Sequence, residues 1–203
     1  MGTVDFFIDG FNVYHALQGN PAYRKYKWLD YAALARCYVG GNDQVGRVNL
    51  YTAFTTWNAG KVARHREFLK AQCHQGVDVV LGHFKIKDKY CTNCRTVFRT
   101  PVEKRTDVNI AIGLFVGAHL NSYDRAILIT GDTDVIPSIE AVKRIFPMKQ
   151  VGIVIPLGRR SEEIKLHCDF HFRMNENQLS RSQLPNPLVL GPGVQLHRPV
   201  TWT

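Results

Sequence analysis

No run of 18 or more apolar residues occurs in the 203-residue chain, which excludes a membrane-spanning helix. The opening MGTVDFFIDG lacks the charged n-region and long apolar core of a secretory leader. Cysteine is scarce and odd in number. Of the five, Cys37, Cys73 and Cys168 are isolated, and Cys91 and Cys94 form a single CxxC. That count does not fit the disulfide framework of a secreted domain, and it predicts a reducing, cytoplasmic setting. No GxGxxG follows an apolar strand, which argues against a dinucleotide-binding domain. Acids are outnumbered, 17 against 26 Lys and Arg, for a formal charge of +9. A surface of that sign attracts phosphate backbones, so the expected partner is a polyanion.

The remaining pattern alternates strands and helices. Strands are expected over 4–8, 45–54, 77–87, 125–130 and 150–156, with a short last one in FHFRM. Helices are expected after Asp30, over 58–76 with Gly76 as its stop, over 107–120, over 134–146 with Pro137 in the first turn, and after Ser161. Residues 88–106 read as a loop or hairpin holding the CxxC. Such alternation predicts an α/β domain: a central, mainly parallel sheet of about five strands with helices on both faces. The domain is expected over 1–184, with the hairpin as an insertion, and the Pro- and Gly-containing residues 185–203 as an extended tail.

Open parallel sheets place ligands at the carboxyl ends of their strands. Asp9 follows the first strand, Asp132 and Asp134 follow the strand over 125–130, and Asp107 opens a helix. Each acid alone reads as a helix cap. Together they would repel one another, and a hard divalent cation, Mg²⁺ or Mn²⁺, is the natural counter-charge. Such ions activate water and stabilise the leaving oxygen in phosphodiester cleavage. A dehalogenase-type phosphatase is rejected, because its second acid falls on Phe11 and its late acid on Ile136 or Pro137.

Three stretches resemble the NYN domains, a PIN-like nuclease group: FFIDGFNVYHAL, EKRTDVNIAIGLFVGA and YDRAILITGDTDVIPSIEAVKR. The acidic motifs stand in the family's order over roughly residues 3–185, and QLSRSQLP is similar to the closing helix of bacterial members. The resemblance implies a PIN-like three-layer sandwich and a Mg²⁺- or Mn²⁺-dependent ribonuclease leaving 5′-phosphate and 3′-hydroxyl ends. Asp9, Asp107, Asp132 and Asp134 would be its metal ligands. Asn12 would position a water or phosphate, and Thr130 would support the same site. Arg105 and Thr106 depart from a smaller, often glycine-containing pair in the family. Two other readings stay open: a non-catalytic nucleic-acid or partner-binding module, and turnover of a small molecule in the same crevice.

Cys91 and Cys94 have the spacing of half a zinc ribbon. A structural Zn²⁺ would need His83, Cys73 or His74 as further ligands, or a second subunit, which would make the protein a homo-oligomer. Cations interleave with aromatics in the same region (Lys85, Lys87, Lys89, Tyr90, Arg95, Phe98), a pattern that suits single-stranded RNA. Arg159 and Arg160 follow the strand over 150–156 and are the expected phosphate contacts.

Overall fold

The computed structural model describes residues 2–202. Its centre is β1 (Thr3–Asp9), buried from Val4 to Asp9 as a strand covered on both faces must be. Successive side chains of a strand point to opposite faces. Phe6 and Ile8 therefore enter one core, with Trp28, Leu34 and Leu50, while Phe7 enters a second, with Ile110, Leu114 and Leu128. Two cores around one sheet make three layers. Asp5, buried in the middle of β1, is satisfied by hydrogen bonds: it accepts from Arg47 N at 2.8 Å and Ser122 Oγ at 3.0 Å.

The chain leaves β1 through α1 (Gly10–Gly19) and α2 (Tyr31–Arg36) to β2 (Gln44–Thr52), then through α3 (Ala59–His74) to β3 (Val77–Leu81). Asp30 and Asn58 cap α2 and α3 through their side chains. Gly76, at φ 80°, ends the second of these turns in the left-handed conformation. The second half runs through α4 (Thr106–His119), β6 (Arg125–Ile129), α5 (Ile136–Ile145), β7 (Gln150–Ile155), α6 (Glu162–His167), β8 (Phe170–Arg173) and α7 (Glu176–Arg181). Between the halves lies an antiparallel pair, β4 (His83–Tyr90) and β5 (Val97–Lys104).

The main sheet has six strands in the order β3-β2-β1-β6-β7-β8, and every pairing in it is parallel. That is one strand more than expected, because β8 pairs fully with β7 from Gly152–Phe170 to Ile155–Arg173. The strand expected over 77–87 is two strands. It breaks at Gly82, whose N donates to Thr52 O at 2.8 Å, and where a Cβ would lie 2.7 Å from Lys104 O. Beyond that glycine the chain leaves the sheet edge to pair with β5 alone. Alternation in HFKIKDK could not signal the change of partner.

The last residues form a small pair, β9 (Leu188–Gly191) and β10 (Val194–Leu196). Leu188 and Leu196 are buried, and Trp202 packs its ring 6.3 Å from Trp28 and 5.6 Å from Phe68. No helix among the described residues is long and apolar enough to cross a membrane.

Gly152 permits the β7–β8 contact: a Cβ there would lie 2.0 Å from the Phe170 ring. Gly152→Ala must therefore displace an aromatic from the edge of the sheet. The expected cost is about 1–3 kcal/mol, read as a lowered denaturant midpoint. An unchanged midpoint would mean that Phe170 is free to move.

Candidate functional site

β1 and β6 lie side by side, with Ile8 opposite Ile129, while the chain departs from them towards opposite sheet edges. Their carboxyl ends are thus the switch point at which open α/β sheets form a crevice. Asp9 is the last residue of β1 and also the N-cap of α1. One carboxylate oxygen accepts from Asn12 N at 2.9 Å, the other from Thr130 Oγ1 at 3.1 Å. Thr130 Oγ1 in turn accepts from Asp132 N at 3.1 Å, and Asn12 Oδ1 accepts from Gly131 N at 3.1 Å. Asp9, Asn12, Thr130 and the TGD turn are therefore one hydrogen-bonded unit across two strands.

Asp132 caps a single 3₁₀ turn, Thr133–Val135, by accepting from Asp134 N at 3.1 Å. Asp134 itself is exposed. Pro137 follows in the first turn of α5, where its missing N–H costs nothing. Asp107 arrives from a third element, the first turn of α4. The entry to that helix is unusual. Arg105 adopts φ 80°, a left-handed conformation that favours glycine, and Glu103 replaces an ordinary cap by accepting from Thr106 N and from its hydroxyl. Glu103 is thus half-buried and caps α4.

Electrostatics join the acids more widely than hydrogen bonds do. Burial pushes the Asp9 carboxyl up; the bonds from Asn12 and Thr130 partly offset this, and the Asp132 charge pushes it further up. Burial also pushes Asp107 up, to about 6, and repulsion from Asp132, Asp9, Glu103 and Asp134 adds to it. No lysine or arginine figures among the main influences on either group. This is the signature of carboxylates gathered without a counter-charge. Arg159 stands beside the unit, since a Cβ on Gly131 would meet its Cβ at 3.3 Å; Arg160 follows it, exposed.

The donors are all oxygen, which suits a hard cation. Among the described residues no group of three or more His, Cys, Asp or Glu side chains is already arranged to hold a metal ion.

The expected zinc ligands are not brought together. His83 pairs with Lys104 at the base of the hairpin, whereas Cys91 follows Tyr90 at its tip. Eight residues of extended chain put them about 25 Å apart. Cys73 and His74 end α3 just before β3 begins, at the opposite end of that strand from the hairpin that follows it. Cys94 Sγ instead lies 2.9 Å from Thr96 Oγ1, and hydrogen bonds from Thr96 and Cys91 hold its thiol below the ordinary value.

A Pseudomonas putida protein named 6-hydroxy-3-succinoylpyridine 3-monooxygenase is 26% identical over 220 residues, covering 88% of this chain and 69% of that one. A solved Vibrio parahaemolyticus protein of unknown function shares the fold at a TM-score of 0.60 and 19% identity, over 87% of this chain and 94% of its own. The family model for the NYN domain matches residues 3–175, and the chain belongs to the NYN domain family.

Proposed function

We propose that the acid cluster is a divalent-metal-dependent ribonuclease site that hydrolyses phosphodiester bonds of single-stranded RNA. The observation that carries this reading is the approach of Asp9, Asp107, Asp132 and Asp134, from three separate elements, at the carboxyl ends of β1 and β6, close enough for the other acids to push the Asp107 carboxyl up. NYN domains are a PIN-like nuclease group, and a formal charge of +9 around an acidic crevice supports a polyanionic substrate.

Asp9, Asp107, Asp132 and Asp134 would hold Mg²⁺ or Mn²⁺. The ion, when bound, supplies Lewis acidity and lowers the pKa of a bound water. The protein supplies position. Thr130 fixes the Asp9 carboxylate by donating to it, and the Asp9 cap of α1 prevents that strand end from drifting. Asn12 holds the loop after β6 through Gly131 N, which sets where Asp132 sits. Arg159, beside that loop, is the phosphate contact, with Arg160 next to it. Aromatic and cationic residues of the β4–β5 hairpin would carry the flanking strand.

The test is cleavage of a labelled single-stranded RNA in Mn²⁺. The expected result is shortening of the RNA that stops on addition of EDTA. Cleavage indifferent to EDTA would overturn the metal assignment, and binding without cleavage in Mn²⁺ would favour a non-catalytic module.

A second reading, turnover of a small molecule in the same crevice, is favoured by the Pseudomonas relative, whose name makes it an oxygenase of a substituted pyridine. Oxygen consumption on addition of that pyridine and a reductant, with RNA left intact, would select it.

A further inference from the structure

Beside the acid cluster lies a cavity of about 310 Å³, within the range of ordinary ligand pockets. Gly10 and Phe11, next in sequence to Asp9, form one wall. Phe84, from the hairpin, meets Phe11 edge-on with centroids 5.4 Å apart, and meets Trp57 edge-on at 4.9 Å. These three rings come from three separate parts of the chain. Lys27, Lys61 and Arg64 also line the cavity, and no Asp or Glu does.

Lys27 is the telling member. It is 8% exposed, yet its ammonium bonds to the neutral Gln18 side chain and lies 5.6 Å from the Tyr14 ring centre. Burial, with Arg24 and Arg64 nearby, pushes its pKa down. Among the described residues neither Lys27, Lys61 nor Arg64 takes part in an ion pair. A cation withdrawn from water without an anion is costly, and an anion bound beside it would relieve that cost. His65, also on the wall, stays neutral near pH 7, because burial pushes it down to about 4; it shares a hydrogen bond with Thr52 Oγ1 at 3.3 Å. The positive charge at neutral pH is thus that of the two lysines and the arginine.

We propose that this cavity binds a planar aromatic ring bearing an anionic group, the ring against Phe11, Trp57 and Phe84 and the anion on Lys27, Lys61 and Arg64. Rings of this kind stack or meet edge-on, and the cations supply the charge. Two sources offer that chemistry: a nucleotide of a single-stranded nucleic acid, or a free heteroaromatic acid. The site stands whichever reaction the acid cluster performs, since none of the four aspartates belongs to it.

The experiment is calorimetric titration of the full chain in EDTA, which removes metal-mediated binding from the comparison. The probes are uridine 5′-monophosphate and nicotinate, each beside its uncharged counterpart, uridine and nicotinamide. At least one anion should bind, about tenfold or more tighter than its neutral partner. A tighter monophosphate identifies a nucleotide subsite; a tighter nicotinate identifies a small-molecule site. The double substitution Lys61→Gln, Arg64→Gln should weaken the preferred anion about tenfold or more at an unchanged melting temperature. Quenching of tryptophan fluorescence by that anion should be reduced in Trp57→Phe, with Trp202 as the second reporter on the wall. Failure of both anions to bind, equal binding of anion and neutral partner, or indifference to the double substitution would overturn the proposal. Loss of RNA cleavage with intact anion binding would instead fault only the nuclease reading.

Discussion

Replacing Asp132 and Asp134 together by Asn will reduce Mn²⁺-dependent cleavage of single-stranded RNA by about 1000-fold or more while leaving the fold intact. On the proposed ribonuclease reading, the size follows from removing two groups that act on charge developing in the transition state, each worth about 100-fold or more in comparable sites. The intact fold follows from local structure. Asp132 caps its turn by accepting from Asp134 N, and an Asn carbonyl oxygen does the same with nearly equal preference. Asp134 is exposed, so its change leaves no buried group unpaired. Initial rates, with melting temperatures run in parallel, measure both effects. Cleavage at the wild-type rate in a well-folded double variant would remove these acids from the mechanism.

Asp107→Asn should act on activity and stability in opposite directions. Activity in Mn²⁺ should fall about 100-fold. Without metal at pH 7.5 the variant should be the more stable protein. The folded state holds the Asp107 proton up to about 6, against a usual value of 3.8. Folding therefore favours the protonated carboxyl. Stability is lost as the pH rises from about 4 through 6, and the whole cost is present above 6. The full difference would be about 3 kcal/mol, and solvent screening of this half-exposed side chain brings it to about 1–2 kcal/mol. An amide, always neutral, escapes that cost. The advantage should shrink as the pH falls from 6 towards 4, and Mn²⁺ should stabilise the wild type more than the variant. Thermal melts at both pH values, with and without Mn²⁺, check each statement. A metal-free variant less stable than wild type at pH 7.5 would show that Asp107 is not strained by its acidic neighbours.

These two expectations share one origin. A carboxylate cluster without a counter-charge is poor for stability and good for capturing a cation. Two of its acids also have local work. Asp9 and Asp132 cap turns, and both bond to Thr130, through the Asp9 carboxylate and the Asp132 amide. The helix-cap role and the proposed ligand role are thus held by the same atoms, and neither excludes the other.

Much was legible from sequence because it depends on neighbours in the chain. VDFFID is an apolar run long enough only for a buried strand, and its terminal acid is set by the strand's end. GDTD before a proline marks a turn into a helix. Alternation of such units dictates a parallel sheet, because a parallel strand must return by a crossover. The positions of Asp9, Asp107, Asp132 and Asp134 at element ends could therefore be read directly. The pairing of Ile8 with Ile129 makes β1 and β6 neighbours and brings two of those ends together.

What pairs with what across the fold was decided only by tertiary structure. The Gly82 break depends on how close Lys104 O comes, which no local pattern encodes. The CxxC ligand set failed because an extended strand holds His83 away from Cys91, and spacing in sequence says nothing of which way a hairpin runs. The charge on Lys27 looks like any surface lysine in YRKYKW, yet folding buries it beside an aromatic cavity with no acid in reach. Local order follows from periodicity and turn chemistry; burial of a charge, and the company it keeps, follows from long-range packing, which the sequence implies without displaying.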